Sequence, residues 1–156
     1  MSSSEEFAAL THAAGISLTG DAGLDQRLPF DEPYSLSVGV VESIERSRAR
    51  GGRVMALGTT VTRALEHAAA NGSLRAGEGV ATLRIGAETS LRVVDGIVTG
   101  THEPTESHYD ILRAFTDEAS LRRMGVELEK SGYRTHEFGD SVMVVKRRDL
   151  YPRIPG

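Results

Sequence analysis

Between Thr101 and His108 the chain gathers two imidazoles and two carboxylates in the run Thr101-His102-Glu103-Pro104-Thr105-Glu106-Ser107-His108. A second His-Glu pair, His136-Glu137, follows downstream, with Asp140 close behind it. Imidazole titrates near neutral pH, so such a cluster suits proton transfer or, in its neutral form, metal ligation. Pro104 interrupts any helix through the run, so His-Glu-Pro is not the helical His-Glu-x-x-His zinc motif. No strict metal spacing is present and no metal is expected. Taken singly, each histidine is more often a solvated or hydrogen-bonded residue, and it is the clustering that points to chemistry.

A second candidate lies at Gly58-Thr59-Thr60, between the apolar stretch Arg53–Leu57 and a helical pattern. Gly permits close backbone approach, and the free N–H groups of a helix start can hold a carboxylate or another anionic group. A plain strand-to-helix turn with a Thr N-cap is the alternative. No Gly-Lys-Ser/Thr follows, so this is not a phosphate-binding P-loop.

The elements that must position these residues follow from periodicity and turn signals. Phe7–Leu18 predicts a strand entering a turn at Gly15, and Thr19–Pro33 a loop long enough to cover a site. Val38, Val41 and Ile44 recur at helical spacing, and Gly51 should end that helix. Arg53–Leu57 predicts a buried strand, and Val61, Leu65 and Ala68 a second helix closed near Asn71-Gly72. Val80–Ile85 and Leu91–Val94 predict strands, with a hairpin turn at Asp95-Gly96 and a return strand Ile97–Thr101. His108–Phe115 and Leu121–Lys130 predict helices, the second stopped at Ser131-Gly132. Tyr133–Thr135 and Ser141–Val145 predict strands. The alternation argues an α/β fold, a mixed sheet flanked by helices in one layered domain over residues 1–156, with residues 1–6 and 151–156 flexible and no β-barrel domain.

Composition sets the bounds. Of the 156 residues, 39% are hydrophobic and 26% charged, a globular balance, and with 5% aromatics and no Trp the core must be aliphatic. The absence of Cys excludes disulfides, thiolate metal sites and cysteine catalysis. No apolar run reaches a membrane span, and the polar start Met1-Ser2-Ser3-Ser4-Glu5-Glu6 is not a signal peptide, which fits the cytoplasm. A net charge of −4 gives no basic footprint for nucleic acid. The clusters Arg46-Ser47-Arg48-Ala49-Arg50 and Lys146-Arg147-Arg148 fit solvated faces, so RNA binding by the chain alone should be weak.

The same stretches carry a family likeness. Gly51-Gly52-Arg53-Val54-Met55-Ala56-Leu57-Gly58-Thr59-Thr60-Val61-Thr62-Arg63-Ala64-Leu65-Glu66 resembles the G-G-R-V-x-A-x-G-T-T-x-x-R-x-L-E run of the S-adenosylmethionine:tRNA ribosyltransferase-isomerases of queuosine biosynthesis. Val94-Asp95-Gly96-Ile97-Val98-Thr99 is similar to that family's V-D-G-x-x-T, His102 and Pro104 to its H-x-P, and Ala114-Phe115 to an A-F pair. Gly132-Tyr133 and Phe138-Gly139-Asp140 resemble its G-Y and F-G-D. The order holds from about residue 8 to residue 145, the part of the family that follows its N-terminal half.

The resemblance implies S-adenosylmethionine as a ribosyl donor. An amine on 7-aminomethyl-7-deazaguanine in tRNA attacks the ribose, adenine and methionine leave, and the sugar rearranges to an epoxycyclopentanediol. That chemistry needs a base beside the sulfonium and an acid for departing adenine. His102 and Asp140 are the implied candidates, with His108 and His136 beside them. Gly58, Thr59, Thr60, Arg63, Asp95 and Gly139 would hold the donor. The chain departs from the family's H-L-P-K-S run by carrying Glu103 and Glu106, and it has no counterpart of the family's barrel domain. A homo-oligomer or companion subunit would then complete the site. A different His/Glu-based enzyme, or a binding module without activity, remains the alternative on this sequence.

Overall fold

The computed structural model describes residues 5–15, 19–25, 27–134 and 139–146. Its elements in chain order are β1 (Thr11–His12), α1 (Ala22–Asp25), β2 (Glu32–Leu36), α2 (Val38–Ala49), β3 (Met55–Leu57), α3 (Thr59–Ala68), β4 (Gly77–Ala81), β5 (Gly96–Gly100), α4 (Ser107–Leu112), α5 (Glu118–Lys130) and β6 (Ser141–Val145). The fold is α/β with helices flanking two small sheets and no closed barrel among the described residues. One sheet is antiparallel in the order β1-β2-β4. The other is mixed: β3 runs parallel to β5, and β5 antiparallel to β6.

Local chemistry explains the helices. Ser37 caps α2 by accepting from the Val40 N–H, and Val40, Val41 and Ile44 form its buried face. The helix stops where Gly51 takes φ +75°, a left-handed conformation that costs a Cβ-bearing residue energy. Asp117 caps α5 through the Ser120 N–H at 2.7 Å, and Lys130 lies in its last turn, where a cation meets the negative end of the dipole. α3 contacts strands of both sheets and so joins them.

The core is aliphatic. Ala56 of β3, Ile97 of β5 and Val142 and Val144 of β6 bury one face of the mixed sheet with Leu65, Val94, Ile111, Leu112 and Leu121. The register puts Leu57, Val98 and Met143 side by side on the other face. There Leu57 is 61% and Met143 66% exposed.

Several expected strands take other forms. No hairpin forms at Asp95-Gly96, because Leu91–Val94 is not a strand. The N–H groups of Arg92, Val93 and Val94 go instead to the Glu66 carboxylate at 2.7, 2.9 and 2.8 Å. The strand expected over Val80–Ile85 is β4, shifted to Gly77–Ala81. At its last residue and just beyond, Arg63 donates to the carbonyls of Ala81 and Leu83. The Thr19–Pro33 loop contains α1 and the first two residues of β2, and of Phe7–Leu18 only Thr11–His12 pairs as a strand within the described part. Tyr133 and Arg134 are irregular, and Thr135 lies outside the described residues.

Candidate active site

Strand β5 alternates faces, so Ile97, Thr99 and the following Thr101 point inward and are buried. The chain then turns through His102–Pro104 into α4. That turn folds the imidazole of His102 back onto β5, where Nε2 lies 2.9 Å from Thr99 Oγ1. Its Nδ1 lies 3.2 Å from Glu106 Oε2, which also accepts the Glu103 N–H at 3.1 Å. The ring of His108, the second residue of α4, stands edge-to-face on His102 with centroids 5.0 Å apart and 72° between planes.

Both imidazoles are held below their ordinary pKa. For His102 burial is the cause, opposed by the Glu106 carboxylate. For His108 burial again dominates, aided by His102 and Arg63 and opposed by Glu106 and Glu32. Two adjacent half-buried rings thus favour the neutral state, the form that accepts a proton. Ser107 Oγ is buried beside them without a hydrogen-bond partner among the described residues.

The Gly58-Thr59-Thr60 turn sits on the neighbouring strand. Gly58 has φ +101° and ψ 156°, a region open almost to glycine alone. Its N–H donates to Val98 O at 2.8 Å, the residue before Thr99. The turn follows β3 and the histidine pair follows β5, so both lie past the carboxyl ends of two neighbouring parallel strands, the usual side for a ligand crevice in an open α/β sheet. No side chain caps α3, so neither threonine acts as an N-cap, and Gly58 is the cap residue. Thr59 is buried and Thr60 half-buried.

Other expected site residues are drawn into the scaffold. Arg63 is 2% exposed, and its guanidinium donates to Glu32 Oε2 and to the carbonyls of Phe30, Ala81 and Leu83. Asp95 accepts the Val54 N–H at 2.9 Å and so locks β3 beside β5. The Asp140 carboxylate accepts the Arg134 N–H at 2.8 Å, while its carbonyl accepts the Thr101 N–H at 3.0 Å. Asp140 is thus tied to the residue preceding His102, with its carboxylate turned to Arg134. Gly139 beside it is exposed. His136 lies outside the described residues. A separate cavity of about 400 Å³ is lined by Arg113, Phe115, Thr116 and Glu118 and by none of the candidate residues. Among the described residues no three His, Asp or Glu side chains converge as metal ligands.

Sequence reasoning quoted Thr99, Glu32 and Glu66 within family-like runs but assigned none of them to the site. Thr99 stands in the run Val94–Thr99, and Glu66 closes the long glycine-rich match, but neither position announces its partner. Glu32 lies 31 positions from Arg63, beyond the reach of any local pattern.

Comparison with known proteins decides the family. Residues 13–144 match the family described as queuosine biosynthesis protein. The chain belongs to that family. It is 36% identical over 126 residues to an S-adenosylmethionine:tRNA ribosyltransferase-isomerase of Chlorobium luteolum, a match covering 78% of this chain and 37% of that protein. A ribosyltransferase-isomerase of Thiobacillus denitrificans is 37% identical over 115 residues, covering 74% of this chain and 33% of that one. The crystal structure of S-adenosylmethionine tRNA ribosyltransferase from Thermotoga maritima superposes with a TM-score of 0.66 at 29% identity, covering 73% of this chain and 41% of that chain. The chain spans about a third of the length of the curated relatives it matches. No helix among the described residues is long and apolar enough to cross a membrane.

Proposed function

We propose that this domain binds S-adenosylmethionine and supplies part of the proton-transfer machinery of a cytoplasmic tRNA ribosyltransferase-isomerase reaction. The observation that supports this reading is that the Gly58-Thr59-Thr60 turn and the His102–His108 pair follow the carboxyl ends of the neighbouring parallel strands β3 and β5. The uncapped start of α3 offers backbone N–H groups to the carboxylate of the methionyl part of the donor. In this reading Thr60 and Gly139 contact the donor, while Arg63 and Asp95 hold α3 and β3 in place. The neutral imidazoles supply the base for the carbon beside the sulfonium, and Asp140 lies next in the chain of contacts through Thr101. His136 is carried as a further candidate.

The complete tRNA reaction needs surfaces beyond these 156 residues. Leu57 and Met143 expose apolar area on the mixed sheet, which supports a second copy or a companion subunit at that face. With a net charge of −4, the domain alone binds tRNA weakly and with strong salt dependence.

Thermal unfolding with S-adenosylmethionine, adenine and methionine tests donor binding. A ligand bound to the native state alone, at about a hundred times its Kd, stabilises by roughly 2.7 kcal/mol. No shift at millimolar S-adenosylmethionine sinks the reading. Mass spectrometry of nucleosides from tRNA bearing the deazaguanine amine tests the reaction, and the epoxycyclopentanediol adduct should be absent with this chain alone.

A further inference from the structure

The two histidines of the site are not equivalent. Both ring nitrogens of His102 are engaged, Nδ1 by Glu106 at 3.2 Å and Nε2 by Thr99 at 2.9 Å. Glu106 Oε2 already accepts the Glu103 N–H, so towards the imidazole this oxygen is placed as an acceptor. Nδ1 must then carry the proton. Thr99 Oγ1 completes the arrangement by donating to the bare Nε2, the one role a neutral ring with a protonated Nδ1 leaves to it. A base oriented by a third group on its far nitrogen is the geometry that fixes a tautomer in other enzymes.

His108 differs. It is half-buried, and neither ring nitrogen has a hydrogen-bond partner among the described residues; its one ring contact is with His102. The charged groups facing it are Glu106 from the same turn, Glu32 from β2 and Arg63 from α3. A half-buried polar ring without a protein partner is a place where a ligand or water is expected.

We propose that Thr99 and Glu106 lock His102 in its Nδ1–H tautomer, so that His102 positions the site and His108 is the imidazole that exchanges a proton with substrate. The proposal rests on the donor-binding reading for the identity of that substrate. The lock itself rests only on the hydrogen bonds of this chain. Glu106 sits within the run that departs from the family pattern.

Two measurements on the intact chain test it. Long-range proton–nitrogen NMR on ¹⁵N-labelled protein reads the tautomers of its five histidines. His102 should show a protonated Nδ1 and bare Nε2, and Glu106→Gln should release it to a mixture. A protonated Nε2 in the wild type, or a tautomer indifferent to Glu106→Gln, overturns the lock. Acylation by diethyl pyrocarbonate, mapped by peptide mass spectrometry, reads nitrogen availability without any ligand. His108 should react at least about tenfold faster than His102, and Thr99→Val should narrow the gap. Equal rates overturn the division of roles. S-adenosylmethionine should then protect His108 and move its nitrogen shifts more than those of His102. A melting-temperature shift without protection overturns the His108 assignment and leaves donor binding standing. No shift at all sinks donor binding and the substrate role of His108 together, while the tautomer and reactivity results stand apart.

Discussion

Arg63 Nη1 lies 2.7 Å from Glu32 Oε2, and neither side chain is more than 7% exposed. This buried pair joins α3, which starts at the Gly58 turn, to β2 of the other sheet. Glu32 also accepts the Gly15 N–H at 2.8 Å, and the remaining Arg63 donors reach three carbonyls. Removing one partner strands the other charge in the core. Arg63→Leu should therefore cost about 3–5 kcal/mol, read as a lower urea midpoint. Arg63→Lys should recover little, because an ammonium cannot reproduce the fork. An unchanged midpoint in Arg63→Leu would show that the pair is not a structural tie.

Glu66 makes a second buried anchor. Its carboxylate accepts three successive backbone N–H groups, those of Arg92, Val93 and Val94. Gln keeps one acceptor oxygen and turns an NH2 toward the other donors. Glu66→Gln should destabilise by about 2–3 kcal/mol. Hydrogen exchange should locate the loss at residues 92–94, and exchange there as slow as in the wild type would contradict this account.

Gly58 separates strain from clash. A Cβ added there meets nothing within 4 Å, yet its φ of +101° suits no L side chain. Gly58→Ala should cost about 1–3 kcal/mol through the backbone alone. Because the same residue opens α3, it should also weaken S-adenosylmethionine in calorimetry. Wild-type stability in Gly58→Ala would mean that the turn relaxes freely.

The histidine pair predicts a pH dependence with a definite sign. Burial depresses both His102 and His108 in the folded chain. Between their folded values and the ordinary value near 6.5, the unfolded chain binds more protons than the folded one. Stability is thus fully present above pH 6.5 or so and falls as pH drops through the depressed values. Melting temperature should decline on acidification from about pH 7 to pH 5, and His108→Gln should flatten the slope. A slope unchanged by His108→Gln and by His102→Gln would place the titration elsewhere.

Some of this protein was legible in its residues alone. Val38, Val41 and Ile44 with Gly51 specify α2, and Ser131-Gly132 stops α5, because capping and periodicity act over one or two turns. Ser141–Val145 is β6 at its expected bounds. The run from Gly51 to Glu66 pointed to the family and to a strand, a tight turn and a helix in that order. Tertiary structure decided the rest. Asp95-Gly96 has hairpin composition, yet the preceding N–H groups belong to Glu66, 26 to 28 positions away. Arg63 reads as a ligand contact until Glu32 is found 31 positions upstream in the other sheet. His102 and His108 look alike in the sequence, and Thr99 and Glu106 make one fixed and leave the other open. The reason is physical. Local patterns record what a backbone segment can do by itself, whereas the destination of a buried charge is set by whichever distant donors the packed core brings within 3 Å or so.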